Sequence, residues 1–123
     1  MLAYATLGTN DLPRAAAFYD ELLALLGAKR FMEEEKFIAW ASSQEGVGLG
    51  ITYPFDGKPA SVGNGTMVAL QASSREQVDA VHAKALELGG ADEGAPGQRM
   101  DWFYAAYFRD LDGNKLNVCF MGT

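Results

Sequence analysis

Asp11 and Gly27 stand sixteen residues apart, and so do Ser73 and Gly89. A good helix N-cap opens each interval and a glycine able to end a helix closes it, so the chain writes one unit twice. Between the two markers of the first unit, Leu12, Ala15, Ala16, Tyr19, Leu22, Leu23 and Leu26 recur at helical spacing and define one buried face. Pro13 falls in the first turn, where its missing N–H does no harm. In the second unit Ser73 with Glu76 reads as a capping box, and Val78, Val81, Ala85 and Leu88 carry the buried stripe.

Around each helix the pattern changes to that of strands. Leu2–Leu7 precedes the first helix, and Lys29–Glu33, Phe37–Ser42 and Val47–Tyr53 follow it. Thr66–Ala72 precedes the second, and Ala91–Ala95, Trp102–Arg109 and Lys115–Met121 follow. Asp110-Leu111-Asp112-Gly113 reads as the hairpin turn between the last two. The Pro/Gly-rich stretch Pro54 to Gly65 is the one linker in the pattern. The chain is therefore expected to be α+β, with two βαβββ modules (about 1–56 and 65–123) in one domain. Each helix covers one sheet face, and the other faces can curve round a shared cavity.

Composition narrows the function classes. The net charge is −6 without a basic stripe, so phosphate-driven nucleic-acid binding is not expected. No apolar run approaches the ~20 residues of a membrane helix. The opening Met1-Leu2-Ala3-Tyr4 has no secretory character. Cys119 is the one cysteine, which excludes an internal disulfide and any cysteine zinc cage and suits a reducing cytoplasm.

Phe103 to Leu116 resembles the closing hairpin of the vicinal-oxygen-chelate (VOC, glyoxalase/bleomycin-resistance) superfamily, with Leu111 where proline is common. Met1–Tyr19 resembles the family's opening strand and helix, and Pro54–Ala69 a segment of one bacterial branch. The resemblance implies paired modules forming a partly open, curved-sheet barrel. It also implies that a divalent metal, where present, would be held by His, Gln or Glu at four cavity positions and would polarise the substrate as a Lewis acid. Those positions align here with Tyr4, Gly50, Met67 and Asn117, and the chain contains a single His. Glycine has no donor, a thioether is a poor one for such ions, and an amide offers one neutral oxygen. A lost metal site and no cofactor are therefore expected.

Strand parity places Tyr4, Thr6, Met67, Gln71 and Asn117 on the cavity side. Pairing across the Asp110–Gly113 turn adds Trp102 and Tyr104, and Cys119 shares the parity of Asn117. These eight form the expected ligand-binding set, an aromatic pocket with a few polar tips. Cys119 has no base nearby to activate it and reads as a wall residue. His82, one turn after Val78, belongs to the outside of the sheet. Arg30, Arg99 and Arg109 are candidates for an anion, with a turn contact expected for Arg109 beside Asp110. Glu33-Glu34-Glu35 reads as a solvated hairpin tip, and Asp112-Gly113-Asn114 as turn chemistry without the ligand spacing of a calcium loop.

Three functions fit these residues. The first is a metal-free protein that binds a small molecule, as bleomycin-resistance types do. The second is a glyoxalase-like lyase or isomerase that polarises its substrate with Tyr4, Tyr104 and Asn117 instead of a metal. The third is a non-catalytic interaction module. The resemblance also implies a homodimer in which modules from two chains complete the barrel.

Overall fold

A computed structural model of the chain describes residues 1–43 and 46–122. The elements run β1 (Tyr4–Gly8), α1 (Leu12–Ala24), β2 (Lys29–Glu33), β3 (Phe37–Ala41) and β4 (Gly48–Thr52). The same series returns as β5 (Val68–Gln71), α2 (Arg75–Glu87), β6 (Ala91–Met100), β7 (Phe103–Arg109) and β8 (Lys115–Met121). The spatial order is β1-β4-β3-β2 in the first sheet and β5-β8-β7-β6 in the second. In each, the strand before the helix pairs in parallel with the last strand of its module, and the remaining pairs are antiparallel. The two sheets share no strand, so the arrangement is open, as paired βαβββ modules predict.

Both helices span thirteen residues. Asp11 caps α1 by accepting from the Arg14 N–H at 3.1 Å, and Gly27 leaves it with φ of +75°. In α2 the cap is Ser74, one residue later than the sequence suggests: its Oγ accepts from the Gln77 N–H at 3.1 Å. Gln77, not Glu76, reaches back, accepting from the Ser73 N–H at 2.7 Å. The shift has a cause in the sheet. The Ala72 N–H still donates to the Cys119 carbonyl at 2.7 Å, which keeps the chain extended one residue longer. The sixteen-residue interval of the second module is thus fifteen when counted from its true cap.

The buried stripes of α1 and α2 pack on Leu7, Ile38, Trp40, Leu49 and Ile51 in the first sheet and on Ala106, Phe108, Leu116 and Val118 in the second. One continuous core therefore draws on both modules. Alternation along the strands then leaves each sheet a second, open face.

The Asp110–Asn114 turn joins the modules. The buried Asp110 carboxylate accepts from the Tyr19 hydroxyl at 2.6 Å and from the N–H groups of Asp112 and Asn114 at 2.9 Å each. Asn114 Nδ2 donates to the Gly8 carbonyl at 2.9 Å, and Asp112 accepts from the Asn10 N–H at 3.0 Å. Burial, then the charge of Asp110, pushes the Tyr19 phenol well above its ordinary pKa. The linker is pinned at its middle, where Asn10 Oδ1 accepts from the Ala60 N–H at 2.7 Å. Among the described residues no helix is long and apolar enough to cross a membrane.

Candidate binding faces on the two sheets

On the open face of the first sheet, Tyr4, Thr6 and Gly8 of β1 lie beside Gly48, Gly50 and Thr52 of β4, and Phe37 and Ala39 of β3 follow. The glycines are slots for rings. A Cβ on Gly50 would stand 2.6 Å from the Phe37 ring, and one on Gly48 3.0 Å from the Phe31 ring. Tyr4 meets Phe37 edge-on, with centroids 6.2 Å apart. The result is an aromatic surface open to solvent, with Tyr4 57% and Phe31 56% exposed. A groove of about 860 Å³ runs past Tyr4, Lys29, Phe31 and Gly48. Another of about 870 Å³ runs past Thr6, Lys36, Thr52, Phe55 and Lys58.

The open face of the second sheet is built differently. Ala69 and Gln71 of β5 pair with Asn117 and Cys119 of β8, which in turn face Tyr107 and Ala105 of β7. Asn117 is 1% exposed; its Nδ2 donates to the Ala106 carbonyl at 3.2 Å. Its Oδ1 is buried and meets no partner among the described residues. Turning the amide round would set two acceptors against each other, so the observed orientation is the favourable one. Burial pushes the Cys119 thiol above its ordinary pKa, the opposite of what an activated nucleophile needs.

Two of the eight expected ligand-binding residues lie elsewhere than parity suggested. Tyr104 is on the helix side, where its hydroxyl donates to Asp79 on α2 at 2.6 Å and its pKa is raised by that bond. Trp102 precedes β7 at the end of the β6–β7 hairpin, half-exposed and tilted against Phe103. The reason is loop length. A two-residue turn would pair Tyr104 with Cys119, whereas the observed loop spans Asp110 to Asn114 and pairs Arg109 with Lys115. That shift of one moves every β7 side chain to the other face. Phe103, Ala105 and Tyr107 therefore take the places expected of Trp102, Tyr104 and Ala106.

Of the remaining six, Tyr4 and Thr6 stand on the first sheet and Gln71, Asn117 and Cys119 on the second. Met67 lies just before β5, 43% exposed. The two grooves are lined by the first module and the linker.

The four positions aligned with metal ligands do not fit a divalent ion. Phe37 roofs Gly50, which has no donor, Met67 offers only a thioether, Asn117 one neutral amide oxygen, and Tyr4 a neutral phenol. Among the described residues no group of three or more His, Cys, Asp or Glu side chains could hold a metal ion.

The other singled-out residues have structural partners. His82 is buried on α2 with Nε2 3.0 Å from Asp92 on β6, away from both open faces. The Gly94 N–H and then His82 hold the Asp92 carboxyl below its ordinary pKa. Arg30 is not available to an anion: it pairs with Asp20 and Glu33 and lies over the Trp40 ring. Arg109 bonds Glu93 and the Gly113 carbonyl, the turn contact expected of it. Arg99 lies over Tyr107. The sequence reading overlooked Phe31, Phe37 and Tyr107. Glycine at alternate positions of β4 was the signal for the two phenylalanines.

Comparison with curated proteins gives no match. Among solved structures, a glyoxalase/bleomycin resistance protein from Albidiferax ferrireducens T118 is 38% identical, with a TM-score of 0.90 and 98% of each chain covered. A glyoxalase-related enzyme from Fulvimarina pelagi (20% identity, TM-score 0.76, 98% of this chain and 87% of that one) shares the fold. So does lactoylglutathione lyase from Agrobacterium tumefaciens (19% identity, TM-score 0.70, 98% and 92% covered). A family model for the Glyoxalase/Bleomycin resistance protein/Dioxygenase superfamily matches residues 1–118, and the chain belongs to that family.

Proposed function

We propose that the whole chain is one domain that binds a small molecule without a metal ion. The observation carrying this reading is Asn117. At the place where the family aligns a ligating carboxylate, a neutral amide keeps a buried acceptor without a partner. Such an atom costs stability unless something meets it, and a ligand donor is the economical explanation. The lyase or isomerase alternative loses one of its three polarising groups, because the Tyr104 hydroxyl is committed to Asp79 on the helix side.

The binding cup is completed by a second copy, the aromatic face of the first sheet closing over the second sheet of its partner. Exposed Tyr4, Phe31, Met32, Met67 and Met121 supply the apolar surface that such an association would bury. A cytoplasmic location agrees with the single free thiol. Elemental analysis of protein purified without chelator tests the metal statement. Far less than one metal ion per chain is expected, and one tightly held ion per chain would overturn it. Sedimentation at micromolar concentration tests the pairing, with a dimer mass expected and a monomer mass opposed to it.

A further inference from the structure

Two cations approach the ring of Tyr107. The guanidinium carbon of Arg99 lies 5.7 Å from its centroid and Lys115 Nζ lies 5.6 Å from it. Arg14, Arg30, Lys84 and Arg109 each meet a carboxylate, whereas Arg99 and Lys115 enter no ion pair among the described residues. Cation–π attraction holds such groups in place and leaves their charge uncancelled. In a chain of net charge −6, this makes a local positive spot on the open face of the second sheet. Arg99 is laid across the sheet by the bond from Nη2 to the Ala95 carbonyl at 2.7 Å. Gly97 admits it, since a Cβ there would stand 2.7 Å from Nη1.

The acceptor that lacks a partner belongs to the same patch. Asn117 is the register partner of Tyr107 and stands two residues from Lys115 on the same strand face. Beside it, Ala105 and Cys119 are small and buried, whereas Ala69 and Gln71 of β5 are exposed. A positive spot needs an anion, and a buried carbonyl oxygen needs a hydrogen-bond donor.

We infer that the ligand of this face is a small organic acid that also carries a hydroxyl or amide donor. Its oxyanion is held by Arg99 and Lys115, its donor meets Asn117 Oδ1, and its apolar body lies over the exposed Ala69 and Gln71. The partly exposed side chains of Tyr107 and Lys115 shift to admit the donor. This assignment rests on the metal-free binding reading above and gives it a ligand class.

Calorimetry on the full chain in EDTA, with three probes differing by one group each, tests the inference. Mandelate has the acid and the donor, phenylacetate lacks the donor, and 1-phenylethane-1,2-diol lacks the acid. Mandelate is expected to bind with a Kd of roughly millimolar order, as suits a ligand of this size. Phenylacetate is expected to bind about fivefold more weakly and the diol about tenfold or more weakly. Arg99→Gln and Lys115→Gln each weaken mandelate about tenfold with melting temperature unchanged. Asn117→Leu brings mandelate down to phenylacetate and leaves phenylacetate as it was. No mandelate binding at tens of millimolar, or equal mandelate affinity in the Arg99→Gln/Lys115→Gln double variant, overturns the assignment. Diol binding as strong as mandelate overturns the acid class while the small-molecule reading stands. Binding that appears only after a divalent metal is added overturns that reading itself.

Discussion

Gly50 and Asn117 hold comparable places on the central strands of the two sheets, Gly50 beside Ala39 and Asn117 beside Tyr107. In the first sheet the position is empty of side chain, and the Phe37 ring closes over it. In the second it carries an amide whose oxygen is buried and unmet. The same topology thus yields one face whose central position is filled by an aromatic ring and another whose central position holds an unmet amide oxygen. The difference teaches that duplication fixes where a site can be, while single residues on the central strand decide whether there is one.

The comparison is tested most severely at the joint between the modules, where the second reaches into the first. Asp110→Ala strands the Tyr19 hydroxyl and the turn amides together. A loss of about 3 kcal/mol or more is expected in urea unfolding, with Tm lower by on the order of 10 °C. A loss below ~1 kcal/mol would show that the turn merely follows the packing of the helices.

The two central positions come next. Gly50→Ala puts a methyl group against the Phe37 ring and should cost about 1–2 kcal/mol. In the Phe37→Ala background the cost should shrink by at least ~0.5 kcal/mol, a coupling that a double-mutant cycle reads directly. Asn117→Leu should change stability by less than ~1 kcal/mol, since it removes an unmet acceptor together with one neutral bond. Equal, large losses at both positions would erase the contrast.

Smaller effects separate the modules by pH. Arg30, the largest influence, holds the Asp20 carboxyl below its ordinary value, and the Trp40 N–H adds to this. A depressed carboxyl contributes stability above its unfolded pKa, near ~3.9, and loses it as pH falls through the folded value. Asp20→Asn should therefore flatten the acid limb of the stability profile below about pH 4, and an unchanged limb would remove Asp20 from the account. Cys119 behaves in the opposite sense. Its raised thiol favours the neutral form, so its contribution is intact below the unfolded pKa and fades above it. Reaction with an aromatic disulfide at pH 8 should be much slower than for a free thiol, and a rate near that of free cysteine would contradict its burial.

Most of the fold was legible because it repeats. Helical spacing around Tyr19 and Val81, the caps and the closing glycines all point to one βαβββ plan. What failed depended on a single residue of register. The Ser73–Glu76 box gave way to Ser74–Gln77 because the sheet claims Ala72, and Tyr104 changed faces because the hairpin loop is longer than a tight turn. The site suffered more than the fold, since a strand face is lost or won by one position. Asn117 and Cys119 kept their expected face because β8 begins and ends where the sequence suggests. The role of Phe37 depends on packing between strands, which one strand's pattern does not show.

The central claim is that a small molecule binds the second sheet and does so without a metal. An amide-resolved NMR titration with mandelate in the presence of EDTA addresses it most directly. Saturable shifts centred on Ala105, Tyr107, Asn117 and Cys119 are predicted, with Tyr104 and His82 on the helix side moving little. Shifts centred on the first sheet, or shifts that appear only when zinc replaces EDTA, would contradict it.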